Sequence, residues 1–207
     1  PQGRVPLRDE DVTVAEVLKS AGYTTGITGK WGLAEPNTSG VPNRQGFDQW
    51  LGLLNQRHAH TYYPEYYWRN EEFQIAWGNM GGYENQWIHD DFTKFALEFI
   101  NENKEGPFFL YVAYTVPHAR YEIPDDRPYS DMPWSQDAKN YAAMVTRLDS
   151  DVGKILDLLG KLGIDERTIV FFCSDNGAAE RFEGVLDSSG PLRGFKRDMH
   201  EGGIRVP

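Results

Sequence analysis

Three segments rich in apolar or β-branched residues end in polar side chains that could do chemistry. The first ends before Lys30, the second before His118, and the third before the pair Asp175-Asn176. Ligands of open α/β sheets bind outside the carboxyl ends of the strands. Because the carboxyl ends of parallel strands meet at one edge, we expect these side chains to form one site.

The tripeptide Asp175-Asn176-Gly177 offers a carboxylate oxygen and an amide oxygen side by side. Hard cations such as calcium and magnesium take oxygen ligands of these types. An Asx-type turn that only closes a strand has the same sequence, and the bare tripeptide favours that interpretation. The residues alone therefore leave a metal site as one of two hypotheses.

Two lysines and one histidine are candidates for handling an anion. Lys30 could pair with an anion at the strand ends, and His118 could protonate a leaving group. Lys196 lies in a glycine-containing stretch that suits close approach of a ligand. The alternatives are a solvated lysine, a structural histidine and an ordinary basic loop. Cys173 lies inside an apolar run, which indicates an inert core thiol rather than a nucleophile.

The elements that must position these residues follow from sequence periodicity. Thr13 begins a capping box, and apolar residues at helical spacing continue it. The predicted helices and strands are a helix at 14–21, a strand at 23–28, a helix around 92–100, a buried strand at 108–114, a long helix around 141–159 and a buried strand at 168–173. The glycine- and proline-rich residues 33–88 are interpreted as long ordered loops with a hairpin near 68–73. Alternating helices and buried strands predict an α/β sheet with helices on its faces.

Composition narrows the function classes. The chain has 207 residues, a formal net charge of -10 and one cysteine. The excess of acidic over basic residues argues against general nucleic-acid binding, since a protein needs basic patches to bind phosphate backbones. We expect no membrane span, because no apolar stretch reaches the required length of about 18 residues. No signal peptide is visible, and both ends of the sequence look cut.

Taken in order, the segments resemble the sulfatase family, within the alkaline-phosphatase-like superfamily. The resemblance runs along almost the whole chain, and the order of the motifs is more specific than any one of them. The motifs are Val14-Ala15-Glu16-Val17-Leu18, Gly29-Lys30-Trp31, Gly46-Phe47-Asp48, Pro107-Phe108-Phe109-Leu110, Pro117-His118, Ser174-Asp175-Asn176-Gly177, Pro191-Leu192-Arg193-Gly194 and Glu201-Gly202-Gly203.

This resemblance implies roles for the polar residues. Asp175 and Asn176 match metal ligands, usually of calcium, and Lys30 and Lys196 match the lysines that hold the sulfate oxygens. His118 matches the histidine near the leaving-group oxygen. The implied fold is an incomplete alkaline-phosphatase-like sandwich, a largely parallel sheet flanked by helices. Residues 1–207 would then be part of a sulfatase catalytic domain.

The chain departs from the family pattern in two places. Gly32 stands where the family often has a histidine, and His60 is our candidate substitute, as a substrate-binding residue. The alternative for His60 is a structural loop histidine. The family signature Cys/Ser-x-Pro-x-Arg, whose first residue matures to the nucleophile formylglycine, does not occur ahead of the Lys30 motif. The one string of this pattern, Ser189–Arg193, overlaps the late Pro191-Leu192-Arg193-Gly194 motif and is not taken as the nucleophile segment. We expect the nucleophile segment upstream of Pro1 and a small subdomain beyond Pro207, so the fragment alone should be inactive and bind metal weakly.

The expected activity is metal-assisted hydrolysis of a sulfate monoester. The expected partner is a sulfated small molecule or glycan, and the resemblance implies export to the periplasm, the exterior or a lysosome. Two alternatives stay open. One is a phosphate mono- or diester hydrolase of the same superfamily. The other is a non-catalytic carbohydrate-binding relic that uses the aromatic stretch 60–68, although core packing is the more common use of such residues.

Overall fold

The computed structural model describes residues 5–206, and these residues form a mixed sheet with helices on both faces. The strand order across the five-stranded sheet is β4-β3-β2-β1-β5. The strands are β1 (Thr24–Lys30), β2 (Gln49–Leu53), β3 (Tyr66–Arg69), β4 (Glu72–Ile75) and β5 (Phe108–Ala113). β1 pairs in parallel with both β2 and β5, whereas β3 and β4 add an antiparallel hairpin. The predicted α/β class is confirmed.

Local signals explain where the helices begin. The helices are α1 (Val14–Ser20), α2 (Ile88–Asn103), α3 (Gln136–Leu162), α4 (Glu183–Leu186) and α5 (Glu201–Ile204). Before α1, the Thr13 hydroxyl accepts from the Glu16 amide at 3.2 Å, and the Glu16 carboxylate accepts from the Thr13 amide at 2.7 Å. Ser135 caps α3, and Gly163 ends that helix in the left-handed conformation. The helices predicted around these signals are confirmed.

Each face of the sheet buries its own apolar cluster. On one face, Ile27 and Trp50 pack with Ala15 of α1. On the other, Leu51 and Leu53 pack with the apolar stripe of α2, which includes Phe92, Phe95 and Phe99. α3 in turn covers α2. The two layers fix β1 from both sides, so the carboxyl end of β1 has a defined position.

The strand prediction for 168–173 is wrong. These residues form no strand, and the side chains of Ile169 and Phe171 are 81% and 89% exposed. An apolar run becomes a strand only where a neighbouring strand supplies hydrogen bonds and cover. Within residues 5–206 the sheet ends at β5, so this run has no pairing partner. Cys173 is therefore exposed and not the buried core thiol expected from the sequence.

Two further differences concern strands. β2 lies inside the region that we interpreted as loops. The sequence did not predict this strand, because Gln49–Leu53 is short and has no clear alternation of apolar and polar residues. β5 is only half-buried rather than buried on both faces, since it forms an edge of the described sheet. The predicted hairpin near 68–73 is confirmed as β3 and β4. No helix within the described residues has the length and apolar character needed to cross a membrane.

Candidate functional site

Lys30 is the last residue of β1, where the sheet opens at its carboxyl edge. Parallel pairing continues just past it, because the Trp31 amide donates to the Leu53 carbonyl at 3.1 Å. Burial lowers the pKa of the half-buried Lys30 ammonium, the charge of Asp175 raises it, and the charge of Lys196 lowers it. Lys30 therefore shares one electrostatic neighbourhood with two residues from the far end of the chain.

His118 lies beyond the end of β5 and contacts the loop that carries His60. The two imidazole rings stack with centroids 4.7 Å apart and planes inclined by 9°. The buried Tyr62 hydroxyl lies 2.9 Å from the carbonyl oxygens of both Thr115 and His118 and can donate to either. This hydroxyl holds the backbone under His118, while the exposed ring of His118 rests on His60.

His60 lies among positive groups. Burial is the largest cause that lowers its pKa, and the charges of His118, Lys30 and Lys196 lower it further. A second proton on this imidazole is thus disfavoured, and the ring is neutral near pH 7. Its Nε2 atom is buried and has no hydrogen-bond partner among the described residues. A buried imidazole nitrogen without a partner is available to a ligand.

Two backbone hydrogen bonds fasten the Asp175-Asn176 turn to the loop that carries Lys196. The Lys196 amide donates to the Ala178 carbonyl at 2.8 Å, and the Gly177 amide donates to the Gly203 carbonyl at 3.0 Å. A Cβ on Gly177 would lie only 1.7 Å from the Gly202 carbonyl oxygen. Only glycine permits this approach, so its position after Asp175-Asn176 has a steric reason.

The candidate metal ligands suit a hard cation in type but not in number. Asp175 offers an exposed carboxylate, and the Asn176 amide nitrogen donates to the Gly177 carbonyl at 3.1 Å, which leaves the amide oxygen for a ligand. Calcium takes six to eight oxygens. The part of the chain at 5–206 contains no cluster of three or more His, Cys, Asp or Glu side chains suited to a metal. Further ligands would be needed to hold the ion.

The structure thus brings together the residues that the sequence nominates separately. The charges of Lys196 and Asp175 act on Lys30, those of Lys30 and Lys196 act on His60, and His60 stacks on His118, while Asn176 adjoins this group through its neighbour Asp175. The connected residues are Lys30, His60, His118, Asp175 and Lys196. Two lysines against one carboxylate make a local positive field in a chain of net charge -10. Such a field can hold an anion next to a group able to move a proton.

The aromatic side chains of residues 60–68 mainly pack against other side chains of the protein. Tyr62 is 1% exposed, and Tyr66 stacks on His58 and on Phe73. A separate cavity of about 430 Å³ lies on the surface between α2 and α3, beside Lys154 and Lys161, and contains none of the candidate site residues. Neither the aromatic stretch nor this cavity is therefore a better candidate for the reactive site than the group formed by Lys30, His60, His118, Asp175 and Lys196.

Comparison with known proteins decides the family. A family model described as sulfatase matches residues 2–207. The chain belongs to the sulfatase family. The resemblance seen in the sequence is confirmed, and so is the alkaline-phosphatase-like fold that it implies for this sulfatase chain.

Relatives and solved structures agree with this assignment. The chain is 36% identical to N-acetylgalactosamine-6-sulfatase of Canis lupus familiaris over 220 residues, which is 99% of this chain and 40% of that protein. It is 30% identical to the uncharacterized sulfatase YdeN of Escherichia coli K12 over 100% of its own length and 39% of that protein. The crystal structure of Ps i-CgsB in complex with a neocarrahexaose has a TM-score of 0.80 at 27% identity, covering 100% of this chain and 52% of that one. The sulfatase chain thus spans about 40% of the curated relatives it matches.

Proposed function

We propose that this chain is part of a longer catalytic domain that hydrolyses sulfate monoesters. The observation that carries the proposal is the meeting of Lys30, His60, His118, Asp175 and Lys196 at the carboxyl edge of the sheet. A sulfate ester carries negative charge on its non-bridging oxygens, and more charge develops on the departing oxygen. A cluster with this excess of positive groups stabilises both.

The two lysines would bind the sulfate group. Burial deprives the Lys30 ammonium of water, so an anion is a better partner for it than solvent alone. The Lys196 backbone is fixed by its hydrogen bond to Ala178, and the Lys196 charge acts on both Lys30 and His60. Asp175 and Asn176 would supply two oxygen ligands to a calcium ion, which when bound would neutralise sulfate charge as a Lewis acid.

The two histidines would serve the leaving group. His118 is exposed at the rim and would protonate the departing alcohol oxygen. His60 is neutral near pH 7 because burial and its cationic neighbours lower its pKa. With a buried Nε2 that lacks a partner, His60 would accept or donate one hydrogen bond to the substrate. Because the two rings stack, a leaving group beside His118 would also lie near His60.

The remaining parts of the proposal rest on relatives. The nucleophile would be a formylglycine, whose signature we expect ahead of the Lys30 motif, since the Ser-x-Pro-x-Arg string at 189–193 overlaps the late Pro191-Leu192-Arg193-Gly194 motif. The substrate would be a sulfated small molecule or glycan, in line with a relative named N-acetylgalactosamine-6-sulfatase and a neighbour solved with a neocarrahexaose. We propose that the protein is exported from the cytoplasm and would meet such a substrate outside.

The test uses the whole protein with calcium present and compares 4-nitrophenyl sulfate with 4-nitrophenyl phosphate. We expect sulfate hydrolysis, and a loss of about 100-fold or more in kcat for Lys196→Ala, because one charged group that stabilises a transition state is worth that much. Lys94→Ala on α2 is the matched control, since the Lys94 side chain is 72% exposed. Hydrolysis of the phosphate ester alone, or an active Lys196→Ala variant, would refute the proposal.

The 207-residue chain itself provides a second test. We expect it to be inactive on the aryl sulfate and to bind calcium weakly, because two ligands fall short of a calcium shell. Calorimetric titration with calcium measures the affinity. Hydrolysis by this chain at the rate of the whole protein would contradict the proposed division of the site.

A further inference from the structure

A glutamine occupies the space beside Lys30 in this structure. Gly32 has a positive φ of +78°, and a Cβ built on it would lie 2.9 Å from the Gln56 Oε1 atom and 3.8 Å from the Lys30 Cε atom. The Gln56 side-chain oxygen therefore lies over Gly32, and the Lys30 Cε atom lies within 4 Å of the same point. The close fit depends on glycine at position 32, because any side chain there would displace the carboxamide.

The loop that carries Gln56 is held in place by its own hydrogen bonds. The Asn55 side-chain oxygen accepts from the His58 amide at 2.9 Å, and the Asn55 carbonyl accepts from the Ala59 amide at 3.2 Å. The same loop continues to His60. It therefore presents Gln56 to Lys30 at one end and His60 to His118 at the other.

We propose that Gln56 is a further substrate-binding residue, whose amide donates a hydrogen bond to a sulfate oxygen held by Lys30. This inference rests on the proposed function and adds a residue for which the sequence motifs gave no role. A neutral amide can donate to the anion and accept from the ammonium at once. A carboxylate at this place would instead neutralise Lys30 and repel the sulfate.

Two variants separate hydrogen bonding from space filling. Gln56→Met keeps the length of the side chain but removes the amide, and Gln74→Met on the β3–β4 hairpin is the matched control. In the whole protein we expect Gln56→Met to raise KM for 4-nitrophenyl sulfate and Ki for inorganic sulfate by about 10- to 100-fold, the usual range for a hydrogen bond to a charged group. The control should leave both constants unchanged, and the melting temperature reports folding.

Gln56→Glu supplies a readout that a structural role would not give. At neutral pH its carboxylate should weaken sulfate binding more than methionine does. As the pH falls toward about 4, the carboxyl takes up a proton and again resembles the amide, so activity relative to wild type at the same pH should recover. This pH profile is independent of whether Gln56→Met loses stability.

The outcomes distinguish this inference from the proposed function. Wild-type constants for Gln56→Met, or a Gln56→Glu profile parallel to wild type, overturn the role of Gln56 alone when Lys30→Ala still abolishes activity. A wild-type protein that neither hydrolyses the sulfate ester nor binds inorganic sulfate in calorimetry overturns both.

Discussion

The buried carboxylate of Asp151 on α3 contacts four polar side chains away from the proposed site. Its side chain is 0% exposed and lies 2.9 Å from His89 Nε2, 3.2 Å from Thr93 Oγ1, 2.9 Å from Arg147 Nε and 2.6 Å from Lys154 Nζ. His89 and Thr93 belong to α2, so one carboxylate joins the two helices. Burial alone would raise the pKa of Asp151, but hydrogen bonds from His89 and Lys154 and the charge of Arg147 hold it well below its usual value.

Replacing Asp151 by alanine should destabilise the fold strongly. A hydrogen bond to a charged group contributes about 1.5–3 kcal/mol, so the loss of the two bonds from buried His89 and Thr93 costs about 3–6 kcal/mol. Lys154 contributes little of this, since its side chain is 48% exposed and water can replace the lost contact. The cost is therefore attributed mainly to His89, which is 0% exposed, and to Thr93. For a chain of this size the melting temperature should fall by about 6–24 °C.

The assay is thermal and urea unfolding followed by circular dichroism, with Asp149→Ala as the control. Asp149 is an exposed aspartate on the same helix, and its replacement should change stability by less than about 0.5 kcal/mol. Equal melting temperatures for the two variants would refute the argument that the Asp151 network joins α2 to α3.

Three smaller predictions concern acid stability, a helix cap and a tight turn. Burial lowers the pKa of His58 to about 4, so below about pH 6.5 the unfolded chain binds a proton at this residue that the folded chain does not bind. The stability of the fold should therefore decline from pH 7 to pH 5. A urea midpoint that does not fall over this range would contradict this. Thr13→Ala should cost about 1 kcal/mol by removing the cap of α1, whereas Thr13→Ser should be close to neutral in the same urea titration. Gly177→Ala should lower the free energy of unfolding by about 1–3 kcal/mol, because its Cβ would meet the Gly202 carbonyl. The same change should lower the calcium affinity of the whole protein. An unchanged affinity in calorimetry would show that the turn is not held as described.

Local interactions determined much of the fold from the sequence. The capping box at Thr13 and the apolar stripe of α3 depend on residues three or four positions apart, so the sequence contains all the information that they need. The positions of Lys30 at the end of β1 and of His118 beyond β5 were also predicted from the local composition of these two segments. The family motifs added the roles proposed for these residues.

Only the tertiary structure decided which strands pair and which side chains meet. Residues 168–173 have the composition of a buried strand, but no neighbouring strand covers them within residues 5–206, and they are exposed. β2 was missed because its stability comes from its pairing with β1 rather than from its own pattern. That pairing also places Gln56 over Gly32 and beside Lys30. Contacts between residues distant in sequence depend on chain topology, which is why neither this glutamine nor the shared field of Lys30 and Lys196 could be derived from spacing alone.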